Sequence, residues 1–468
     1  MPRTKIVCTI GPASRSPETL EQLIRAGMDV ARLNFSHGTQ AEHLEVITAV
    51  RRCAARLGRP VAILQDLAGL KIRIGEIAEG AVTLEAGAPF TLTTRQVSPS
   101  RHEVSVPYPH LTRDVQPGDT LLLSDGDLEM EVIGVTDEDV HCRVIVGGTL
   151  ASRKGVHFPA RLITAPSFAD KDRDDLAFGL HYGVDYVAVS FIRTATDVLE
   201  VRSLIEEHGS SVPLIAKIET HEALTHIDAI IDTVDGVVVA RGDLGVDIPL
   251  ATVPRFQKML IGKANHAGKP VITATHMLRS MQDSPRPTRA EVTDVANAIL
   301  DGSDAVMLSE ETAIGRFPVE AVTMMTAIAE DIESTFPFDT WMNRFQGACA
   351  LPEAVARAAC TLAADIDAAA IVTCTQSGGT ARRVAQYRPR SPILAPTPHA
   401  ETYRRLALVW GVTPLLNPSQ PTTDELIDGA LGAALATGRV QRGQTVVVTA
   451  GVPVGRPGMT NVIKVETL

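Results

Sequence analysis

Aromatic residues make up only 4% of this 468-residue chain, two of them tryptophan. Extensive base-stacking platforms for single-stranded nucleic acid are therefore not expected. A basic surplus is also lacking. Forty-four lysines and arginines face 55 aspartates and glutamates, a net charge of −11, which disfavours a nucleic-acid binder but leaves room for a local basic pocket. Cysteine is sparse, and the six present form no C-x-x-C pair. That argues against structural zinc and a thioredoxin-like centre, and for buried free thiols in a reducing compartment, with cytoplasm the expected location. No apolar run reaches the ~18 residues of a membrane span, and Met1–Cys8 passes directly into strand-like sequence without the regions of a signal peptide. No G-x-x-x-x-G-K-[ST] occurs, so a P-loop is absent. His37, His157 and His276 have no metal-ligand spacing.

What is present is globular: 45% hydrophobic and 21% charged residues, at a length that predicts about three domains. Lys5 to Ile10 reads as a strand. Ser16-Pro17-Glu18-Thr19 then starts a helix with an N-cap serine and a proline at its first position. Strands at 30–35 and 61–64 flank a helix over about 40–57. From about Gly69 to Arg161 the pattern turns to short β-branched runs (82–84, 90–92, 120–123, 128–135, 140–146), which predict a small all-β unit. Ser124-Asp125-Gly126 reads as a hairpin turn. Strand–helix alternation resumes at Asp170, with strands at 186–190, 214–218, 237–240, 271–274 and 305–308. Eight βα units, interrupted after the third, predict a closed (β/α)8 barrel; an open doubly wound sheet is the alternative. A further α/β segment carries strands at 370–375, 393–395, 445–449 and 462–465. The expected division is 1–68 with 162–340 as barrel, 69–161 as an inserted β-rich lid, and 341–468 as a separate α/β domain.

A barrel collects its chemistry at the carboxyl ends of its strands, and the polar residues fall there. Arg32, Asn34 and Ser36 share one face at the second strand's end, as do Lys217 and Glu219 at the fifth. The Lys-x-Glu pair also reads as a rim ion pair. Glu219 and Asp243, from neighbouring strand ends, form a candidate two-carboxylate Mg²⁺ site. Lys217 adds the fixed cation that phosphoryl transfer needs. Gly242 and Gly245 permit close backbone approach, or make a plain turn. The segment Thr375, Gln376, Ser377, Gly378, Gly379, Thr380 follows a strand and precedes a helix starting near Ala381, as a phosphate cradle would; an N-cap and loop is the competing reading.

The motifs TKIVCTIGPAS (4–14), ARLNFSHG (31–38), IAKIE (215–219), ARGDLGV (240–246) and PTRAEV (287–292), with the 294–308 stretch, resemble the pyruvate kinase family over nearly the whole chain. The resemblance implies a (β/α)8 barrel, an inserted β-barrel lid and a regulatory C-terminal α/β domain. It implies phosphoryl transfer from phosphoenolpyruvate to ADP, the last step of glycolysis, in a homotetramer. By that resemblance Glu219 and Asp243 bind Mg²⁺ or Mn²⁺, and Lys217 and Arg32 contact the phosphoryl group. Gly242 and Asp243 hold the carboxylate, and Thr275 lies at the enolate carbon. Asn34, His37, Arg73 and Lys154 face the nucleotide. Thr375, Ser377, Gly378, Gly379 and Thr380 take an effector phosphate.

In the same family a K⁺ ion sits near Asn34, Ser36, Asp66 and the Leu67 carbonyl. Members that need it usually carry glutamate where this chain has Lys71, so the expectation is that K⁺ is not required. Other departures are Leu67-Ala68 in place of Thr-Lys, His276 in place of glutamine and Glu310 in place of glycine. A metal-dependent aldolase or lyase, and a non-catalytic effector-binding protein, are the competing classes. ADP consumption coupled to pyruvate formation separates the first, and the intact Lys217, Glu219 and Asp243 argue against the second.

Overall fold

The structure is a computed structural model and describes residues 2–77, 80–98, 100–158, 168–345, 347, 349–453 and 459–468. Eight parallel strands close into a ring: Lys5–Thr9, Val30–Asn34, Ala62–Leu67, Tyr186–Val189, Leu214–Ile218, Gly236–Ala240, Val271–Ala274 and Ala305–Leu308. Each pairs with its sequence neighbours, and the first pairs with the eighth, Lys5 opposite Ala305. The open doubly wound alternative is thereby removed. The first helix begins as the sequence predicts. Ser16 accepts the Thr19 N–H ahead of Pro17–Ala26, and Thr39, Thr194 and Thr288 each form a capping box with the acidic residue three positions on. Those boxes fix three loops at the carboxyl mouth of the barrel.

The barrel interior is filled by alternate residues: Val7, Val30, Ala62, Leu64, Tyr186, Ala188, Ile215, Val238, Ala240, Ile272, Ala274, Ala305 and Met307. Ala407 and Leu408 from the C-terminal segment join this cluster, and the Tyr186 hydroxyl donates to the Arg405 carbonyl at 2.7 Å. Continuing the interior alternation outward by two residues brings Arg32, Asp66, Ser190 and Lys217 to one layer at the mouth.

The inserted unit is a six-stranded sheet ordered Val156–His157, Thr120–Leu123, Leu128–Val135, Asp139–Val146, Pro89–Thr93, Glu103–Ser105, with a separate pair, Ala81–Leu84 and Gly148–Ala151. Its own core includes Phe90, Leu92, Leu121, Met130 and Val140. The three strands without a sequence signal, 103–105, 148–151 and 156–157, are two to four residues long. The expected lid boundary at 161/162 lies outside the described residues.

The C-terminal sheet runs Val412–Leu416, Ile393–Thr397, Ile371–Thr373, Thr445–Gly451 in parallel, with Thr460–Thr467 antiparallel at its edge. Val412–Leu416 has no counterpart in the sequence reading. It contains Pro414, which cannot donate to a ladder, and it occupies the other edge of the sheet, where proline is tolerated. Of the six free cysteines five are buried, and Cys349 departs from that expectation by being exposed. Among the described residues no helix is long and apolar enough to cross a membrane.

Candidate active site

Four of the expected residues converge at the barrel mouth. The Lys217 ammonium donates to Ser190 Oγ at 2.7 Å and lies 2.9 Å from Glu219 Oε1 and 3.5 Å from Asp66 Oδ1. Arg32 Nε donates to Asp66 Oδ2 at 2.7 Å, and its Nη1 to Thr9 Oγ1 at 2.8 Å. Burial lowers the pKa of Lys217, but Asp66 and Glu219 outweigh it, so the group titrates above its ordinary range and is charged at neutral pH. Burial likewise raises the Asp66 carboxyl, and Lys217 and Arg32 outweigh that, holding it below the usual carboxylate range.

Glu219 stands at the end of the fifth strand with 1% of its surface exposed. Its Oε2 accepts the Phe191 N–H at 2.7 Å. Its Oε1 is buried and makes no hydrogen bond among the described residues. The Lys217 ammonium is near it but outside hydrogen-bond geometry. Burial raises the Glu219 carboxyl, and Asp243 adds to that. Asp243 titrates low, because Lys71 and Lys217 outweigh its burial. A buried carboxylate that accepts one backbone N–H and otherwise meets only the Lys217 ammonium among the described residues, with a second carboxylate near it, fits a hard divalent cation. Mg²⁺ takes one or two carboxylates and completes its shell with water and substrate phosphate. The described residues hold no cluster of three or more His, Cys, Asp or Glu set to cage a metal; a two-carboxylate donor set is the kind Mg²⁺ or Mn²⁺ completes with water and substrate oxygens.

Asp243 belongs to a short helix, Arg241–Asp247, where the sequence reading places only a glycine turn. Gly242 lies so close to the seventh strand's end that a Cβ there would sit 2.6 Å from Thr275 Cγ2. Thr275 and His276 both have positive φ, 74° and 56°. Two consecutive non-glycine residues in that region mark stored strain. Arg241 holds the turn: its Nε donates to the Ala274 carbonyl at 3.2 Å and its Nη2 to the Thr275 carbonyl at 2.8 Å, while Nη1 pairs with Asp294 at 2.6 Å.

The residues expected around the nucleotide and the monovalent ion are arranged less tightly. Asn34 turns its Oδ1 to the Ser36 N–H at 3.1 Å. Loss of surrounding water, then Arg73 and Arg32, draw the His37 imidazole below its ordinary value. Lys154 is exposed, and its carbonyl accepts the Ile74 N–H at 2.9 Å. Asp66 already has two cations, and the Leu67 carbonyl accepts from Ser190 Oγ at 3.0 Å. Lys71 reaches past them to Asp243, Nζ to Oδ1 2.9 Å. Sequence reasoning assigned no role to Ser190 or Arg241. Both are polar residues at carboxyl ends of barrel strands, and that position was the available signal.

In the C-terminal sheet, Thr375, Ser377, Gly379 and Thr380 line a small, partly open pocket together with Asn417 and Thr460. The Gly378 N–H donates to Thr375 Oγ1 at 2.9 Å, and Gly378 caps the helix Gly379–Gln386, which starts two residues before the expected Ala381.

A family model for the pyruvate kinase barrel domain matches residues 1–322, and one for the pyruvate kinase alpha/beta domain matches residues 353–466. Pyruvate kinase 2 of Synechocystis sp. is 51% identical over 472 residues, covering 100% of this chain and 79% of that protein. The pyruvate kinase of Geobacillus stearothermophilus is 48% identical over 471 residues, with coverage of 100% and 80%. That of Clostridium acetobutylicum is 44% identical over 472 residues, with both chains covered in full. The crystal structure of a pyruvate kinase from Cryptosporidium parvum matches with a TM-score of 0.94 at 38% identity, covering 100% of this chain and 96% of that one. With the barrel closed, the C-terminal sheet in place and Arg32, Lys217, Glu219 and Asp243 gathered at one mouth, this chain belongs to the pyruvate kinase family.

Proposed function

We propose that this chain transfers the phosphoryl group of phosphoenolpyruvate to ADP, giving pyruvate and ATP, as the last step of glycolysis. The observation that carries the reading is the buried Lys217 ammonium set between Asp66 and Glu219, 3.5 Å from Asp66 Oδ1 and 2.9 Å from Glu219 Oε1. Glu219 and Asp243 would hold Mg²⁺ or Mn²⁺, which when bound supplies charge neutralisation for the phosphoryl oxygens. Lys217 and Arg32 present fixed positive charge to the transferring group. They cost no reorganisation, because Asp66 and Ser190 already orient them. The backbone at Gly242 and Asp243 receives the substrate carboxylate. Thr275, fixed by Arg241 through its carbonyl, stands where a proton is delivered to the enolate carbon.

Asn34, His37, Arg73 and Lys154 form the nucleotide side. Arg73 and Lys154 sit on the stalks of the 69–161 unit, so closure of that unit delivers them and excludes water. Residues 1–68 with 162–340 act as the catalytic barrel and 341–468 as a regulatory domain. There Thr375, Ser377, Gly378, Gly379 and Thr380 take the phosphate of a small effector. The assembly is a homotetramer in the cytoplasm.

K⁺ is not required in this reading. Asn34, Ser36, Asp66 and the Leu67 carbonyl mark the region in which related enzymes hold the ion. Lys71 brings a tethered ammonium into the same mouth. The test measures pyruvate release from phosphoenolpyruvate and ADP in Mg²⁺ with Na⁺, K⁺ or a bulky organic cation at matched ionic strength. Full turnover in all three supports the reading. Turnover only with K⁺ removes the role given to Lys71, and no ADP-dependent turnover in any of them removes the activity.

A further inference from the structure

The two stalks that join the inserted unit to the barrel run side by side. The Ile74 N–H donates to the Lys154 carbonyl and the Val156 N–H to the Ile72 carbonyl, both at 2.9 Å, and Arg73 bridges Gly155 in antiparallel fashion. The Lys71 side chain crosses this ladder directly over Gly155. A Cβ at position 155 would lie 2.9 Å from Lys71 Cε, 3.8 Å from its Nζ and 3.5 Å from His157 Nε2. Gly155 is buried, and its φ lies outside the left-handed range, so the backbone itself does not demand glycine there. What the position requires is empty space, and the group that fills that space is the lysine stem. Beyond it the ammonium pairs with Asp243.

We propose that Gly155 is a positioning residue that opens the path by which Lys71 reaches Asp243, making Lys71 a tethered cation that competes with the divalent ion for that carboxylate. This rests on the reading of Asp243 as a metal carboxylate. The lysine comes from a stalk of the inserted unit and the aspartate from the barrel, so the ion pair also links the two. Ser124 reinforces that side: its N–H donates to the Gly155 carbonyl at 3.2 Å, and Gly126 lies against Val246 of the Asp243 helix. A dication on Asp243 repels the ammonium that pairs with that same carboxylate, and by linkage the ammonium weakens the dication equally. Metal arrival and release of Lys71 are then one event. An alanine at 155 displaces the far end of a flexible side chain and leaves the ladder hydrogen bonds in place.

The experiment is Mn²⁺ binding to the substrate-free protein, read from the free-ion electron paramagnetic resonance signal at fixed ionic strength. The variants are Gly155→Ala, Lys71→Ala, both together, and Asp243→Asn. Gly155→Ala and Lys71→Ala each tighten Mn²⁺ by about tenfold, within the range of couplings between residues in contact. The double variant binds no more tightly than Lys71→Ala alone. Lys71→Ala tightening Mn²⁺ while Gly155→Ala leaves it at the wild-type value overturns the role of Gly155. No change in either variant overturns the competition. Wild-type Mn²⁺ affinity in Asp243→Asn removes instead the metal reading on which the proposal rests. If Gly155→Ala does not fold, adding Lys71→Ala, which removes the Cε it meets, restores folding under this account; failure to restore it overturns the account.

Discussion

Lys217→Met keeps the stem of the central lysine and deletes its charge. At 2.9 Å and an effective dielectric of about 20, the ammonium and the Glu219 carboxylate attract by about 6 kcal/mol before desolvation is counted. Removing one partner of such a buried pair costs a net 3–5 kcal/mol or so, because the other charge is left behind. Glu219 then retains the Phe191 N–H as its hydrogen bond, whereas Asp66 keeps Arg32. The metal-free variant should therefore melt well below the parent, and added Mg²⁺ should restore more of that loss than it adds to the parent. Catalytically, losing one preorganised charge costs about 10²-fold or more in kcat. Mn²⁺ binding to the substrate-free variant should be no weaker than in the parent, since a positive neighbour of the metal site has gone. The assay is pyruvate release at saturating phosphoenolpyruvate and ADP, with melting measured in chelator and in Mg²⁺. A variant with near-parental kcat and a raised KM alone would refute the reasoning, because Lys217 would then act in binding and not in the transition state.

Gly242→Ala places a Cβ 2.6 Å from Thr275 Cγ2. Displacement of about 1 Å at a reacting position costs about 10²-fold in kcat. Steady-state kinetics should show that loss, and Thr275→Ser in the same chain, which lacks the methyl, should recover at least about tenfold. The Asp66 carboxyl titrates below its ordinary value, so its stabilising contribution is complete above about pH 4 and is lost as pH falls through its folded pKa. The melting gap between the parent and Asp66→Asn should be widest near neutrality and shrink in acid; a gap constant from pH 7 to the acid limit of folding contradicts this. Ser377→Glu puts a carboxylate into the C-terminal cavity. It should abolish the shift that a phosphorylated effector produces in the phosphoenolpyruvate saturation curve and leave turnover without effector intact; an unchanged shift places the regulatory site elsewhere.

Much of the site was legible because strand alternation is local. Arg32, Lys217 and Glu219 follow interior residues at intervals of two, so the periodicity that predicts a barrel also aims them at its mouth. Ser190 obeys the same rule and was passed over only because a serine at a strand end carries no distinctive chemistry until a lysine is seen 2.7 Å away. The Arg241–Asp247 helix was illegible because two glycines in seven residues argue against helix, and packing against the seventh strand overrides that propensity. The partner of Lys71 was illegible for a different reason. A four-carbon stem reaches several carboxylates, and which one it meets depends on the space left by Gly155, 84 residues further along the chain. The edge strand at Val412–Leu416 and the inserted unit's strands at 103–105, 148–151 and 156–157 gave no period long enough to recognise.

The most direct test of the central claim is a ³¹P NMR time course of the purified chain with phosphoenolpyruvate, ADP and Mg²⁺, compared with Glu219→Gln. The account predicts that the phosphoenolpyruvate signal is lost as the ATP γ-phosphate grows in equal amount, with little inorganic phosphate, and that both changes slow sharply in the variant. Phosphoenolpyruvate converted to inorganic phosphate without ATP, or equal rates in the two proteins, would contradict it.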